Sequence, residues 1–139
     1  MNIKYKQKKL SIEQLKTIIC RSGIHRQTDN DQKLENMINH STLLISAWDQ
    51  DKIVGYIRVL TDYGDVANVA DLAVDKNYWS KGIGRELMNQ VVESVGTEIH
   101  IVLLASELAK DYYSKLGFCH DSRGYVKLPK NPSPSDWTV

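Results

Sequence analysis

The chain has 139 residues, with 18 Lys plus Arg against 17 Asp plus Glu and a formal net charge of +1. That length suits one domain with a real hydrophobic core. The charge balance argues against a nucleic-acid surface, and no apolar run of about 18 residues is present to cross a membrane.

The cysteines and histidines give no metal pattern. Cys20 and Cys119 lack ligand spacing, and His25, His40, His100 and His120 are scattered. Free thiols in a reducing compartment and no metal are expected. The first residues lack the apolar core of a signal peptide, so a cytoplasmic setting is the expectation.

In chain order, Ile3 to Lys9 alternates as a strand, with its lysines on a solvated face. Ser11 and Gln14 form a capping-box pattern before a helix that runs to about Arg21 and stops at Ser22-Gly23. Ile12, Leu15, Ile18 and Ile19 recur on one side of it. A second helix is expected from Asp29 or Asn30 to Ile38, with Leu34, Met37 and Ile38 inward. Thr42 to Trp48 and Ile53 to Leu60 read as strands joined by the polar turn Asp49-Gln50-Asp51-Lys52. Thr61 to Asp65 turns the chain into a strand from Val66 to Val74.

The helix from Gly82 to Val95 repeats Ile83, Leu87, Val91 and Val95 at a spacing of four, a buried stripe, with Gly96 as its C-terminal cap. Ile99 to Ala105 is nearly all apolar, as in a strand covered on both faces. Leu108 to Leu116 reads as a short helix ended by Gly117. Phe118 to Asp121 and Tyr125 to Leu128 are expected to be two last strands, with Cys119 packed inward. Residues 1–128 then form one domain and 129–139 an extended, mobile tail with three prolines, which Trp137 could tuck against the body.

The chemistry concentrates between Asp71 and Leu87. A strand ends, a turn containing Lys81-Gly82-Ile83-Gly84-Arg85 follows, and a helix opens. The first turn of a helix has N–H groups without internal partners and a partial positive charge. Glycines let a phosphate come close, and Lys81 and Arg85 add full charges. The pattern reads as a diphosphate cradle, the alternative being that Gly82 and Gly84 merely shape a strand-to-helix turn. It lacks the three glycines of a dinucleotide fingerprint and the Gly-Lys-Ser/Thr ending of a P-loop.

The segment resembles motif A of the GNAT acetyltransferase superfamily, Arg/Gln-x-x-Gly-x-Gly/Ala after an apolar strand. Trp79, Gly82 and Gly84 fall on its positions. Trp79 replaces the usual Arg or Gln, and Ser80 stands where many members have Gly. Ala109-Lys110-Asp111-Tyr112-Tyr113-Ser114-Lys115-Leu116-Gly117-Phe118 resembles motif B of the same family, downstream and in order.

The resemblance implies a mixed α/β fold: one central sheet of six to seven strands with splayed central strands, flanked by about four helices. It implies an acetyl-CoA-dependent N-acetyltransferase acting on a primary amine of a small metabolite or peptide, with no metal. The alternative is a non-catalytic acyl-CoA-binding module of the same fold. A homodimer is possible, as relatives often dimerise through late strands.

The resemblance implies roles as well. Trp79, Ser80, Lys81, Gly82, Ile83, Gly84 and Arg85 would hold the coenzyme pyrophosphate. The backbone of Leu72, Ala73 and Val74 would pair with the pantetheine arm, and Ser106 would contact it. Tyr113 would be the general acid toward the coenzyme sulfur, and a phenol stays protonated at neutral pH. Tyr112 falls on an aromatic packing position. Asp71 is a candidate general base; binding an acceptor cation or making a structural hydrogen bond are its other readings. Arg58, Asp62 and Tyr63, with Arg26 and Asp29, are candidates to shape the acceptor site.

Overall fold

The computed structural model describes residues 2–133 and Trp137; part of the predicted mobile tail, 134–136 with 138 and 139, lies outside the described residues, as does residue 1. The elements in order are β1 (Ile3–Gln7), α1 (Ile12–Ser22), α2 (Asp31–His40), β2 (Leu43–Asp49), β3 (Lys52–Thr61), β4 (Val66–Val74), α3 (Ile83–Val95), β5 (His100–Leu103) and α4 (Lys110–Lys115). Short 3-10 turns precede α3 (Lys76–Tyr78) and α4 (Glu107–Ala109).

Local chemistry sets the boundaries. Ser11 and Gln14 bond reciprocally at the start of α1, and Gly23 ends it in the left-handed conformation. Asn30 caps α2 by accepting from the Lys33 N–H. Asp62 closes the β3–β4 turn, its Oδ1 accepting from the N–H groups of Gly64, Asp65 and Val66. Those bonds pull its pKa down to about 2.

The sheet runs β1-β2-β3-β4-β5, antiparallel except for the parallel β4–β5 pair. Helix α3 covers one face through Leu87, Met88 and Val91, packed on Ile57, Val59, Ala67 and Val69. Helices α1 and α2 cover the other through Leu15, Ile18, Leu34 and Ile38, packed on Leu44, Trp48 and Tyr56.

Two irregularities shape the centre. Arg58 pairs with Asp71 but Val59 with Val69, so Ala70 is an extra residue in β4. Beyond that bulge the alternation inverts. Val69 packs on the α3 face, whereas Asp71 and Ala73 turn to the α1/α2 face. The second irregularity is a parting of strands. β5 pairs with β4 only from Val66 to Val69, while β4 continues to Val74. The splay expected of the fold is present there.

Three expectations are corrected. The sheet has five strands among the described residues, not six or seven; neither 118–121 nor 125–128 is a strand. Phe118 packs on the α3-side core, but Tyr125 is 97% exposed, so the alternation at 125–128 has no core face to fill. β5 is covered on one side only, with Val102 and Leu104 exposed. Cys119 is likewise exposed rather than packed.

Candidate functional site

The turn and the helix start form where the spacing predicted them. Ser80 and Gly82 both take left-handed backbone conformations, at φ 65° and 82°. The double turn feeds the chain into α3, whose first internal bond runs from the Glu86 N–H to the Gly82 carbonyl. Gly82 supplies no side-chain cap. The amides of Ile83, Gly84 and Arg85 therefore point out of the helix end without an internal partner, in contrast to the capped starts of α1 and α2. Lys81 and Arg85 are exposed beside them.

Gly84 has a second reason to be glycine. A Cβ there would stand 2.4 Å from the Tyr112 hydroxyl. Tyr112 is thus no buried packing residue. It is 37% exposed and reaches across the first turn of α3. Arg85 also spans this gap, its Nη2 reaching the Lys115 carbonyl at 3.4 Å.

The open edge of β4 lies just upstream. The Asp75 N–H donates to the Val54 carbonyl, and the Ala73 carbonyl lies against Gly55. Both residues turn their backbone groups toward β3. Alternation then directs those of Leu72 and Val74 to the opposite edge, where β5 has departed. Of the three residues expected to pair with a pantetheine arm, Leu72 and Val74 are presented and Ala73 is not. Trp79 occupies part of this edge, its Nε1–H donating to the Val74 carbonyl at 2.8 Å while the ring stays half exposed.

Tyr113 stands on α4 with its ring edge-on to Tyr112 and Phe118, at centroid distances of 5.4 and 5.7 Å. It packs against the α3-side core. Burial pushes its phenol up to about 12, reinforced by Tyr112 and opposed by Arg26. Its hydroxyl bonds no other described residue, so the proton is held but uncommitted. Ser106 is exposed beyond β5, and its carbonyl accepts from the Ala109 N–H.

Asp71 is 2% exposed. Its Oδ1 accepts from Arg26 Nε at 2.6 Å; its Oδ2 accepts from Arg58 Nε at 2.8 Å and from the Tyr56 hydroxyl at 3.0 Å. Burial alone would raise its pKa, but the two guanidiniums outweigh burial and hold it below the usual range. Burial, and then the same carboxylate, push the Tyr56 phenol well up. Arg26 donates further from Nη2 to the Ala70 carbonyl at 2.9 Å and from Nη1 to the His25 carbonyl at 2.7 Å. Trp137 does tuck in, its N–H on the His25 carbonyl and its ring 4.9 Å from the Arg26 guanidinium.

The sequence reading missed Tyr56 and the reach of Tyr112. Tyr56 and Arg58 are two apart on one strand and share a face, a signal that was present. Asp62 and Tyr63 lie in the β3–β4 turn, outside this network.

An uncapped helix start and a parted strand pair lie along one edge of the sheet, with the Tyr113 phenol on α4. Comparison with known proteins names the family to which this architecture belongs. Residues 6–127 match the acetyltransferase (GNAT) domain family, and the chain belongs to that family. It is 28% identical over 99 residues to the uncharacterized N-acetyltransferase ycf52 of Porphyra purpurea, covering 67% of this chain and 57% of that protein. It is 27% identical over 118 residues to GCN5-related N-acetyltransferase 3, chloroplastic, of Arabidopsis thaliana, covering 84% and 49%. The chain thus spans about half the length of these curated relatives.

Solved structures agree in fold. A probable acetyltransferase from Staphylococcus aureus superposes with a TM-score of 0.78 at 22% identity, over 91% of this chain and 100% of that one. A predicted acetyltransferase from Clostridium acetobutylicum, solved with acetyl-CoA, gives 0.69 at 20% identity, over 92% and 96%.

Proposed function

We propose that this protein is an acetyl-CoA-dependent N-acetyltransferase that moves an acetyl group directly onto a primary amine of a small metabolite or peptide. The observation that carries the reading is the uncapped start of α3 beside the open edge of β4. The residues fit the coenzyme. The amides from Gly82 to Arg85 suit a pyrophosphate, helped by Lys81 and Arg85. The Leu72 and Val74 backbone suits the amides of a pantetheine arm, provided the Trp79 indole yields the Val74 carbonyl. Acetyl-CoA, when bound, supplies the acyl thioester and its thiol leaving group.

Tyr113 is the proton donor in this reading. A phenol raised to about 12 keeps its proton throughout the neutral range, so it is available to donate a hydrogen bond to the departing sulfur as negative charge develops there. Asp71 is assigned a positioning role in place of the general base. A carboxylate held down by two guanidiniums has little appetite for a proton. It fixes Arg26 and Arg58 instead.

Thermal melting with acetyl-CoA, CoA and ATP tests the reading. A ligand at about 100 times its dissociation constant stabilises a fold by roughly 2.7 kcal/mol. Both coenzymes should raise the melting temperature and ATP should not. A rise without turnover of any amine would favour the acyl-CoA-binding module. No rise with either coenzyme removes both readings.

A further inference from the structure

We infer that the amine acceptor carries its own negative charge, a carboxylate or phosphate near the amino group, and that Arg58 receives it. The inference rests on the N-acetyltransferase reading and names the substrate class for the same site. It begins with a charge imbalance. One carboxylate, Asp71, faces two guanidiniums whose side chains are only 13% and 11% exposed. Among the described residues one unit of positive charge is left over, in a place poor in water where an uncompensated charge is costly.

Hydrogen bonding says where that surplus sits. Arg26 is fully engaged, with Asp71, the Ala70 carbonyl and the His25 carbonyl each taking one of its nitrogens. Arg58 gives Asp71 its Nε alone, and its two Nη groups bond no other described residue. They are the paired donors that match a carboxylate or phosphate in bidentate geometry.

Arg58 also lines an open groove of about 750 Å³ between α2 and the end of β3. Lys33, whose Nζ donates to Gln27 Oε1 at 3.1 Å, and His40 stand on its wall, and Asn30, Gln32 and Asn36 add amides. No Asp or Glu is among the eight residues that line it. Such a groove attracts an anion and repels a polycation. Asp71 fastens Arg58 to β4 one residue past the Ala70 bulge, so one wall of the groove is tied to the strand that parts from β5.

The same charges bear on the amine. An alkylammonium near two guanidiniums loses its proton more readily than in water. The acceptor's anionic group anchors it, and the positive surroundings favour its neutral, nucleophilic form. The site then has less need of a strong base, in keeping with the engaged state of Asp71.

The test uses matched pairs on the CoA-saturated full chain, followed by calorimetry. Phosphoethanolamine is compared with ethanolamine, and glycine with glycinamide. At least one anionic member should bind roughly tenfold tighter than its neutral partner, as expected for a charge-assisted pair. Which pair shows the preference separates phosphate from carboxylate. Arg58→Gln should erase the preference. Lys33→Gln, at the rim and away from Asp71, should reduce it and serves if Arg58→Gln does not fold. Anionic amines that bind no better than their neutral partners overturn the inference, as does a preference that survives in folded Arg58→Gln. Acetylation of neutral or cationic amines just as fast would overturn it while leaving the N-acetyltransferase reading intact. Failure of CoA itself to bind removes that reading and the inference together.

Discussion

The two sides of β4 are built from different materials. Toward α3 and the open edge, the site is made of backbone: uncapped amides, two left-handed turns and a strand whose partner has left. Toward α1 and α2 it is made of side chains, with Arg26, Tyr56, Arg58 and Asp71 locked together around one buried carboxylate. Backbone sites tolerate changes of side chain, and the turn into α3 keeps its two left-handed residues with Trp79 and Ser80 in place of the family's residues. Side-chain sites do not, because each member leaves the others unpaired. The bulge at Ala70 is the hinge between the two, since it alone turns Asp71 away from the face of Val69.

The comparison is broken most severely by removing the carboxylate. Asp71→Ala should leave two largely buried guanidiniums without this counter-charge, a loss of about 3–5 kcal/mol. For a domain of this size that is roughly 10 °C or more in melting temperature. The sign with pH follows from the direction of the shift. The folded pKa lies below the unfolded value, so the contribution is complete above about pH 4 and is lost as pH falls through the folded pKa. Asp71→Asn should therefore flatten the acid limb of the stability curve. An unchanged acid limb would mean that the network does not hold the carboxylate as described.

Tyr113→Phe sharpens the comparison from the other side. The hydroxyl bonds no other described residue, so melting should hardly move. Turnover should fall by about 100-fold or more with the coenzyme thermal shift retained. Turnover unaffected with every active acceptor would strip Tyr113 of its role as the acid.

Much of the backbone side was legible in the sequence, and the reasons are local. The capping box at Ser11, the stripe of α3 and the Gly82-x-Gly84 spacing each span a few residues, and each formed. The side-chain network was only partly legible. Its members are spread from Arg26 to Asp71, and the face of Asp71 depended on an extra residue at Ala70 that no alternation pattern announces. The last strands failed for a related reason. Apolar alternation at Tyr125 to Leu128 suggests a strand, but it says nothing about whether a covered face awaits it.

Gly84→Ala probes the cradle with a smaller effect. The new methyl group collides with the Tyr112 hydroxyl, so either the ring or the first turn of α3 must shift. Coenzyme affinity should fall by roughly tenfold, about 1.4 kcal/mol. Tyr112→Phe removes the colliding atom, so the double variant should regain part of the loss. Equal losses in the single and double variants would show that the two residues do not meet.

Ser80→Gly should have the smallest effect and the opposite sign. Ser80 holds φ at 65°, where a residue with a Cβ is strained by about 1–2 kcal/mol and glycine is not. Glycine also gives the unfolded chain more freedom, which takes back about 0.4–1 kcal/mol. The balance is a modest stabilisation, visible as a rise of a few degrees in melting temperature at most. Coenzyme affinity should stay the same, because the turn already has the shape that glycine would give it. A gain in affinity without a gain in stability would mean instead that the serine side chain obstructs the cradle. A loss of stability would show that this turn does not hold Ser80 in the left-handed region.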